Sequence, residues 1–348
     1  MQIKKHTLWC LIILLLAGCS KCANSKKKIA KWATSIDGSI IPVGTIFTAH
    51  LKYLDEEIAI DSLVIGFNGV RINSYASLTQ EIQIPTAGFK MGGHTLMAIV
   101  YRDSHKEEYN ASVTIVSDIL PQENAIKTGA VYPHSNQNFT EGLFFYKGMV
   151  YESTGMNGTS FICRYKLGST PEKLTTMPTA YFGEGSILYD NKLIQLTWKN
   201  GKGIVYDATT YKQTGEFLNG GEGWGLTYDG THLIMSDGTH RIFYLDKQTY
   251  ANTKILEVYD NKGPVMNLNE LEFVDGVIYA NVWMTDKIVK IDANTGKVLA
   301  YLNCEGLLTE AEIEANKCDV LNGIAYDAQT KKLYITGKNW PKIFEVKQ

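Results

Sequence analysis

The chain has 348 residues and a formal net charge of −2 at pH 7, and this charge balance argues against nucleic acid as its main partner. Hydrophobic residues make up 45% and charged residues 20%, an ordinary composition for a globular protein with a sizeable core. Thirty-one Gly and twenty Tyr against eight Pro favour strands and tight turns over long helices.

The N-terminus has the pattern of an export signal. Lys4 and Lys5 precede an apolar stretch that is too short for a permanent transmembrane helix, and this stretch ends in Leu-Ala-Gly-Cys at Cys19. The ending resembles the bacterial lipobox and predicts cleavage before Cys19 and its lipidation; a plain secretory signal with a chance Cys is the alternative. Acyl chains would anchor the protein to a membrane by burying CH₂ groups, each contributing about 0.8 kcal/mol. We therefore expect a signal peptide over 1–19, a polar tether over 20–29, and a cell-envelope lipoprotein that faces the periplasm or the cell surface.

Residues 30–117 have a β-only pattern. Stretches that alternate apolar and polar residues, or that read as strands, occur at 45–51, 62–67, 81–84, 92–101 and 111–116. Strands at this spacing, with no helical period between them, predict a small immunoglobulin-like β-sandwich, although the Cys and Trp signature of antibody domains is missing. No cluster of catalytic residue types stands out, so we interpret this region as a spacer or docking module.

From residue 118 onward the sequence repeats. A short motif recurs at intervals of about 40 to 53 residues. Its leading residues are Glu141, Glu184, Trp224, Asn269 and Asn322. Each motif opens a segment with four short apolar runs separated by turns, which is the unit of a β-propeller blade. Five such units fill 118–348 and predict an all-β chain with a five-bladed β-propeller after the sandwich; a parallel βα barrel is disfavoured because no helices alternate with the strands.

The longest interval between motifs contains an insertion. Thr309 with Glu312 three residues later is a capping box and predicts a short helix. Cys304 and Cys318 flank this helix and are a candidate disulfide in an exported protein, but their spacing leaves the bonded and the free-thiol state open. Cys163 lies in an alternating strand pattern and is expected to be a small buried side chain.

Two columns of the repeat predict a functional site at one end of the propeller. Innermost strands line the axis of a propeller, so the five leading residues should converge there. A second column closes the next strand and contains Trp198, Trp283 and Lys338. Buried charges and exposed aromatic rings are unfavourable, so their convergence favours a binding site over residues that only hydrogen-bond loops. The sequence lacks metal-binding motifs, a Gly-x-Ser-x-Gly elbow and a phosphate-binding Gly loop, which favours acid/base chemistry by a carboxylate without a catalytic metal.

The motifs resemble those of the plant-type glutaminyl cyclotransferase family, which is shared by plants and bacteria. The resemblance rests on Phe-Thr-Glu-Gly-Leu at 139–143, Phe-Gly-Glu-Gly at 182–185, Gly-Trp-Gly-Leu at 223–226, Asn-Glu-Leu-Glu at 269–272 and Asn-Gly-Ile-Ala-Tyr at 322–326. It covers about residues 120–347, without the sandwich or the lipobox. It implies a five-bladed propeller that converts the N-terminal Gln of peptides or proteins to pyroglutamate with release of ammonia. We expect a monomer that requires no cofactor for catalysis, with a structural calcium ion left open.

The resemblance also implies roles for individual residues. Glu184 would move the proton from the substrate α-amine to the leaving amide nitrogen, Lys338 would stabilise the oxyanion on the γ-carbonyl, and Asn269 would hold the substrate amide. Glu141 would contact the substrate within aromatic walls formed by Phe139, Phe182, Trp198, Trp224 and Trp283. Glu141 departs from the family, which usually has Gln there, so two coupled carboxylates are expected near one site.

Two other classes of function are open from the sequence. One is a non-catalytic propeller that presents a binding surface on an anchored stalk; such a protein would tolerate the loss of Glu184 or Lys338. The other is a calcium-dependent propeller hydrolase or lyase, which needs converging Asp, Glu and Asn ligands rather than an aromatic rim. Both Glu184 and Lys338 stand in their motif context, which favours the cyclotransferase.

Overall fold

The computed structural model describes residues 28–54, 59–77 and 79–347. The predicted signal peptide, the lipidated Cys19 and most of the tether lie outside the described residues, and they stay predictions. In the part of the chain that the structure describes, no helix is long and apolar enough to cross a membrane.

The N-terminal strands form two sheets that share one apolar core. The strands are β1 (Ala30–Trp32), β2 (Ser39–Pro42), β3 (Ile46–Tyr53), β4 (Ser62–Phe67), β5 (Val70–Tyr75), β6 (Glu81–Pro85), β7 (Gly92–Arg102) and β8 (His105–Val116). The sheets have the orders β1-β3-β6 and β2-β8-β7-β4-β5, and β2 runs parallel to β8. Along β3 and β6 buried residues alternate with exposed ones, as expected for sheets with one face on the core and one in water.

The C-terminal strands form five sheets, in which consecutive strands pair with their neighbours. The strands are β9 (Gln122–Ala125), β10 (Lys127–Pro133), β11 (Thr140–Tyr146), β12 (Met149–Thr154), β13 (Phe161–Tyr165), β14 (Glu172–Thr176), β15 (Gly183–Tyr189), β16 (Lys192–Thr197), β17 (Lys202–Asp207), β18 (Gln213–Leu218), β19 (Leu226–Tyr228), β20 (His232–Ser236), β21 (Arg241–Asp246), β22 (Asn252–Glu257), β23 (Leu268–Val274), β24 (Val277–Val282), β25 (Lys287–Asp292), β26 (Val298–Asn303), β27 (Leu321–Asp327), β28 (Lys332–Gly337) and β29 (Lys342–Lys347). We number the sheets one to five by their first strands β11, β15, β19, β23 and β27. β9 adds a parallel strand to sheet four, and β10 completes sheet five by pairing with β29.

The first strands of the five sheets lie side by side in a closed cycle. β11 contacts β15, β15 contacts β19, β19 contacts β23, β23 contacts β27, and β27 contacts β11 again. Glycines permit this approach, since a Cβ atom at Gly142 would lie 2.7 Å from the Ser186 nitrogen and one at Gly225 would lie 2.2 Å from the Asn269 carbonyl oxygen. β10, from the N-terminal side of the repeat, pairs with the C-terminal β29 and ties the two ends of the cycle together. The prediction of an all-β chain is confirmed.

The insertion contains the predicted helix, and the two cysteines that flank it are free. Helix α1 (Glu310–Asn316) begins after Thr309, which exchanges the two hydrogen bonds of a capping box with Glu312. Cys304 and Cys318 are both free, and each thiol donates to a backbone carbonyl of its own segment. The capping box and the left-handed Lys317 after the helix already fix both helix ends. Of the two states that the sequence left open, the structure has the free-thiol state.

Candidate active site

One cavity of about 430 Å³ lies at the end of the ring where the first strands begin. Its lining residues are Phe139, Glu141, Phe182, Glu184, Trp198, Trp224, Asn269, Trp283, Met284, Asp319, Val320 and Lys338. All nine pocket residues that the sequence predicted are among them, so the structure brings these residues together. Met284, Asp319 and Val320 were not predicted.

Three leading residues of the motifs, Glu141, Glu184 and Asn269, line this cavity from irregular positions of the first strands. Glu141, Glu184 and Asn269 are each the second residue of their strand, and Asn322 is the second residue of β27. In all four sheets the strand register shifts at that position. A bulge leaves a residue unpaired and re-aims its side chain. The irregularity therefore turns Glu141, Glu184 and Asn269 out of the sheets towards the cavity, whereas the predicted convergence does not extend to Asn322, which is buried behind Glu141 and donates to it.

Glu141 and Lys338 form a buried ion pair in the cavity wall. Lys338 Nζ lies 2.7 Å from Glu141 Oε1, and the two side chains are only 8% and 1% exposed. The second carboxylate oxygen of Glu141 accepts a 3.2 Å hydrogen bond from Asn322 Nδ2. Lys338 Nζ also lies 4.8 Å from the centre of the Phe139 ring, within cation–π range. The ammonium group is therefore fixed in place by a carboxylate and an aromatic face.

Glu184 is the second buried carboxyl group of the site. Burial raises the pKa of Glu184 well above its usual range, the nearby Glu141 raises it further, and Lys338 lowers it. Burial also raises the pKa of Glu141, to about 7, against the opposing effect of its ion pair with Lys338. Two carboxyl groups that share a site cannot both ionise easily. Glu184 therefore holds the proton of the pair more tightly, and Glu141 is the group that carries the charge beside Lys338.

Aromatic rings form the walls of the cavity in edge-to-face contacts. The ring centres of Phe139 and Phe182 are 6.2 Å apart, those of Phe182 and Trp198 5.6 Å, and those of Trp224 and Trp283 5.5 Å. These arrangements are among those that aromatic pairs prefer. The walls give the two carboxyl groups an apolar environment, which is the physical source of their raised pKa values.

A third carboxylate, Glu222, orients two of these rings and was missed from the sequence. Its Oε2 atom accepts hydrogen bonds of 2.8 Å from Trp198 Nε1 and 3.0 Å from Trp224 Nε1. Glu222 stands two residues before Trp224, as Phe139 and Phe182 stand two residues before Glu141 and Glu184. The repeat therefore contained a column that would have identified it.

Asn269 and the segment before β27 complete the site. Asn269 is buried, and its Oδ1 atom accepts no hydrogen bond from any residue that the structure describes. It is therefore a free acceptor for a substrate N–H group.

The segment before β27 is held against Lys338 by backbone hydrogen bonds. Asp319 N donates to Lys338 O over 2.9 Å, and Lys338 N donates to Val320 O over 3.0 Å. Val320 belongs to the same missed column as Glu222, whereas Asp319 follows the helical insertion and has no counterpart in the repeat.

The sequence matches the family model described as glutamine cyclotransferase over residues 96–348. The chain belongs to this family. It is 35% identical over 237 residues to the glutaminyl-peptide cyclotransferase of Arabidopsis thaliana, across 66% of this chain and 73% of that protein. The crystal structure of Myxococcus xanthus glutaminyl cyclase is similar with a TM-score of 0.59 and 33% identity, over 66% of this chain and 98% of that chain. The prediction that the chain is an enzyme of this family is confirmed, and its all-β fold resembles that of the Myxococcus protein.

Beneath the pocket of this glutamine cyclotransferase family member lies a buried polar network that the sequence did not reveal. Glu152 accepts hydrogen bonds from Thr140 Oγ1 over 2.7 Å and from Asn138 Nδ2 over 2.8 Å. His134 donates from Nε2 to Glu152 over 3.1 Å and from Nδ1 to the Trp340 carbonyl over 2.7 Å. Burial lowers the pKa of His134, but Glu152 and Trp340 outweigh it, so the pKa is raised. The network joins the chain on either side of Thr140 in sheet one to the turn after Lys338 in sheet five.

Within residues 28–54, 59–77 and 79–347, no group of three or more His, Cys, Asp or Glu is arranged to hold a metal ion. Of the two carboxyl groups that line the cavity, Glu141 forms an ion pair with Lys338, and the charge of Lys338 lowers the pKa of Glu184 against the effect of burial. A structural calcium ion stays a prediction. The cavity thus offers a protonated carboxyl, an ionised carboxylate and an ammonium group within aromatic walls.

Proposed function

We propose that the protein is a glutaminyl-peptide cyclotransferase that converts the N-terminal glutamine of peptides or proteins to pyroglutamate and releases ammonia. The observation that carries this proposal is the environment of Glu184, a buried carboxyl with a raised pKa that faces an aromatic cavity beside Lys338. Membership of the family and the activity named for the Arabidopsis relative support it. Burial also raises the pKa of Glu270, but that carboxyl group accepts hydrogen bonds from the backbone N–H groups of Leu143 and Ile324, whereas Glu184 lines the cavity.

Glu184 is the proton-transfer group in this proposal. The α-amine attacks as the free base: its nitrogen forms a bond to the γ-carbon, and the bond from that carbon to the amide nitrogen breaks. Glu184 gives its proton to the leaving nitrogen and regains one from the attacking nitrogen, so its protonation state is restored at the end of the reaction. A raised pKa suits this role because the carboxyl group must hold a proton near neutral pH to act as an acid.

Lys338 and Asn269 act on the substrate amide. When the amine attacks, the γ-carbonyl oxygen becomes an oxyanion, and the fixed ammonium group of Lys338 stabilises it. Loss of one such donor typically costs about 2.7 to 4 kcal/mol of transition-state stabilisation. The free acceptor on Asn269 holds an N–H of the amide and thereby orients the leaving group. Glu141 fixes Lys338 and sets the charge beside Glu184.

The aromatic walls hold the glutamine side chain folded back on its own amine. Closing a five-membered ring requires the amine and the γ-carbon to meet, which costs conformational entropy. In a narrow apolar pocket this entropy is already lost when the substrate binds, so it does not add to the barrier of the reaction. The same walls exclude water, which strengthens the electrostatic effects of Lys338 and Glu184 on the reacting atoms.

We also propose that the five sheets are the blades of a five-bladed propeller over 118–348, and that the N-terminal sheets are an immunoglobulin-like sandwich over 30–117. The closed cycle of first strands and the pairing of β10 with β29 support the first assignment, and the shared core of the two N-terminal sheets supports the second. We propose that the protein is a monomer, and the lipobox-like ending at Cys19 supports a lipoprotein displayed from a membrane of the cell envelope, with the sandwich between anchor and enzyme.

A direct assay tests the proposed reaction. The purified protein is incubated with a peptide that begins with Gln, and ammonia and the loss of one ammonia mass from the peptide are followed together. We expect both to appear in equal amounts, without turnover of the same peptide with an acetylated N-terminus, because the reaction needs a free amine. No release of ammonia between about pH 6 and 9, where a tuned carboxyl group can act, would rule the proposal out.

A further inference from the structure

One position in the turns at the cavity end has an unusual backbone conformation for the residues it holds. In four sheets, the residue two places after the second strand has a positive φ angle. These residues are Met156 (φ 87°), Gly238 (φ 79°), Met284 (φ 66°) and Asn339 (φ 59°). Gly and Asn are common in the left-handed region, whereas a long side chain is uncommon there. Met is less common there than Gly or Asn, so sheets one and four differ from sheets three and five at this position.

Both of these methionines are also exposed to solvent. Met156 is 50% exposed and Met284 is 65% exposed. An exposed apolar side chain on an unfavourable backbone brings no stability to the free protein. Outliers of this kind occur at ligand sites, where binding compensates the strain.

Their position is the mouth of the cavity. Met284 lines the cavity itself and follows Trp283, one of its walls. Met156 follows Gly155, where a Cβ atom would lie 2.5 Å from Phe182 Cε1 and 3.0 Å from Glu141 Cγ. The two methionines thus lie on the sheets before and after sheet five, which carries Lys338; Met284 lines the cavity, and Met156 follows a residue that packs against Phe182 and Glu141.

We propose that Met156 and Met284 form an apolar subsite for the side chain of the residue that follows the N-terminal glutamine. The inference rests on the proposed function and names its substrate class: peptides and proteins with a large apolar second residue. The glutamine occupies the cavity, so the rest of the chain must leave through the mouth, past these two side chains. Unbranched thioether side chains adapt to apolar groups of different shape, which suits a subsite that accepts several second residues.

The turn itself supplies the substitution that tests the proposal. Asn339 occupies the equivalent left-handed position in sheet five, so Met156→Asn and Met284→Asn remove the apolar side chain and keep a residue that the backbone accepts. Two otherwise identical peptides that begin Gln-Leu and Gln-Ser are compared by kcat/KM in the wild type, both single variants and the double variant. The matched control is Ile46→Asn, the same kind of change at a residue that is 69% exposed in the N-terminal sheets.

We expect the wild type to favour the Gln-Leu peptide by roughly tenfold, the lower end of the discrimination that an apolar pocket gives for one methylene group, because the subsite is open to solvent. In the double variant this ratio should fall to within about twofold of unity, each single variant should lie between, and Ile46→Asn should keep the wild-type ratio. Thermal unfolding of the variants should occur at the wild-type temperature or above it, because Asn relieves the backbone strain.

Three outcomes would overturn the inference: equal kcat/KM for the two peptides in the wild type, a wild-type ratio in the double variant, or an equal loss on both peptides together with a lower unfolding temperature. The last of these would mean a structural role for the methionines. A double variant that keeps the ratio but no longer binds phosphatidylglycerol vesicles would instead assign the methionines to a membrane contact, against the proposal. If the wild type releases ammonia from neither peptide, the proposed function itself fails, which is distinguishable from a failure of the subsite.

Discussion

The ammonium group of Lys338 lies 2.7 Å from the carboxylate of Glu141, in a wall where both side chains are almost completely buried. Because of this ion pair, the two carboxyl groups of the site, Glu141 and Glu184, have different environments and different roles. Glu141 is held by Lys338 and Asn322, whereas Glu184 is exposed to the apolar cavity and to the charge of Glu141. The carboxylate at position 141 therefore raises the proton affinity of Glu184 and also fixes Lys338.

The first prediction concerns Glu141→Gln, which removes the charge next to Glu184. The charge of Glu141 raises the pKa of Glu184, so its removal lowers that pKa. Glu184 must hold a proton to act as an acid, and activity is lost as the pH rises through its pKa. We therefore expect the alkaline limb of the kcat–pH profile to move to lower pH in the variant. Glu172→Gln, at an exposed residue of β14, is the control; an alkaline limb at the wild-type pH in Glu141→Gln would contradict the coupling.

The second prediction concerns Glu222→Leu, which removes the acceptor shared by two tryptophans. Trp198 and Trp224 then lose their hydrogen bonds, and bonds to charged groups are worth about 1.5 to 3 kcal/mol. Because the walls hold the substrate before and during the reaction, we expect KM to rise by roughly tenfold or more, with a smaller change in kcat. Steady-state kinetics with a Gln-initiated peptide measures both constants. A loss confined to kcat would mean that Glu222 takes part in the chemistry rather than in the positioning of the rings.

The third prediction concerns the stability of the buried pair between His134 and Glu152. Glu152→Gln leaves a buried imidazolium without its counter-charge, which typically costs about 3 to 5 kcal/mol of the free energy of unfolding. Denaturant unfolding should show this loss, whereas Glu172→Gln, which breaks an exposed ion pair, should change stability by about 1 kcal/mol or less. An effect of Glu152→Gln as small as that of the control would contradict the account.

The same pair predicts a pH dependence of stability. The pKa of Glu152 is lowered below its usual 4.5, so its contribution is lost as the pH falls below that value. The pKa of His134 is raised above its usual 6.5, so its contribution is complete below 6.5 and is lost as the pH rises through the raised value. The difference in stability between the wild type and Glu152→Gln should therefore be largest between pH 4.5 and 6.5.

The repeat in the sequence predicted most of the site because each blade-like unit places equivalent residues at equivalent positions. Glu141, Glu184, Asn269 and the tryptophans were all found in two columns of the repeat, and the structure brings them to one cavity. Glu222 and Val320 lie in a third column, two residues before the leading residues, which the sequence analysis did not use. Residues in one column of the repeat occupy the same position along their strands. Because the sheets are similar and form a ring, residues at the same position lie close together in space.

The parts that the sequence did not predict depend on contacts between different sheets. His134 follows β10, outside the repeating motifs, and its partner Glu152 comes from the second strand of sheet one. No motif or spacing in the sequence around His134 or Glu152 indicates that the two side chains pair. The spacing of Cys304 and Cys318 left the bonded and the free-thiol state open, and the structure has free thiols, with the helix between them fixed by the hydrogen bonds of Thr309 and Glu312.

The most direct test of the central claim compares the wild type with Glu184→Gln in the same assay of ammonia release. Gln preserves the shape of the side chain but cannot transfer the proton, so we expect kcat to fall by about 10²- to 10⁴-fold while circular dichroism and thermal unfolding show a folded protein. Glu172→Gln should keep the wild-type rate. If Glu184→Gln releases ammonia within about threefold of the wild-type rate, proton transfer by Glu184 is not part of the mechanism, because general acid/base groups contribute far more than that.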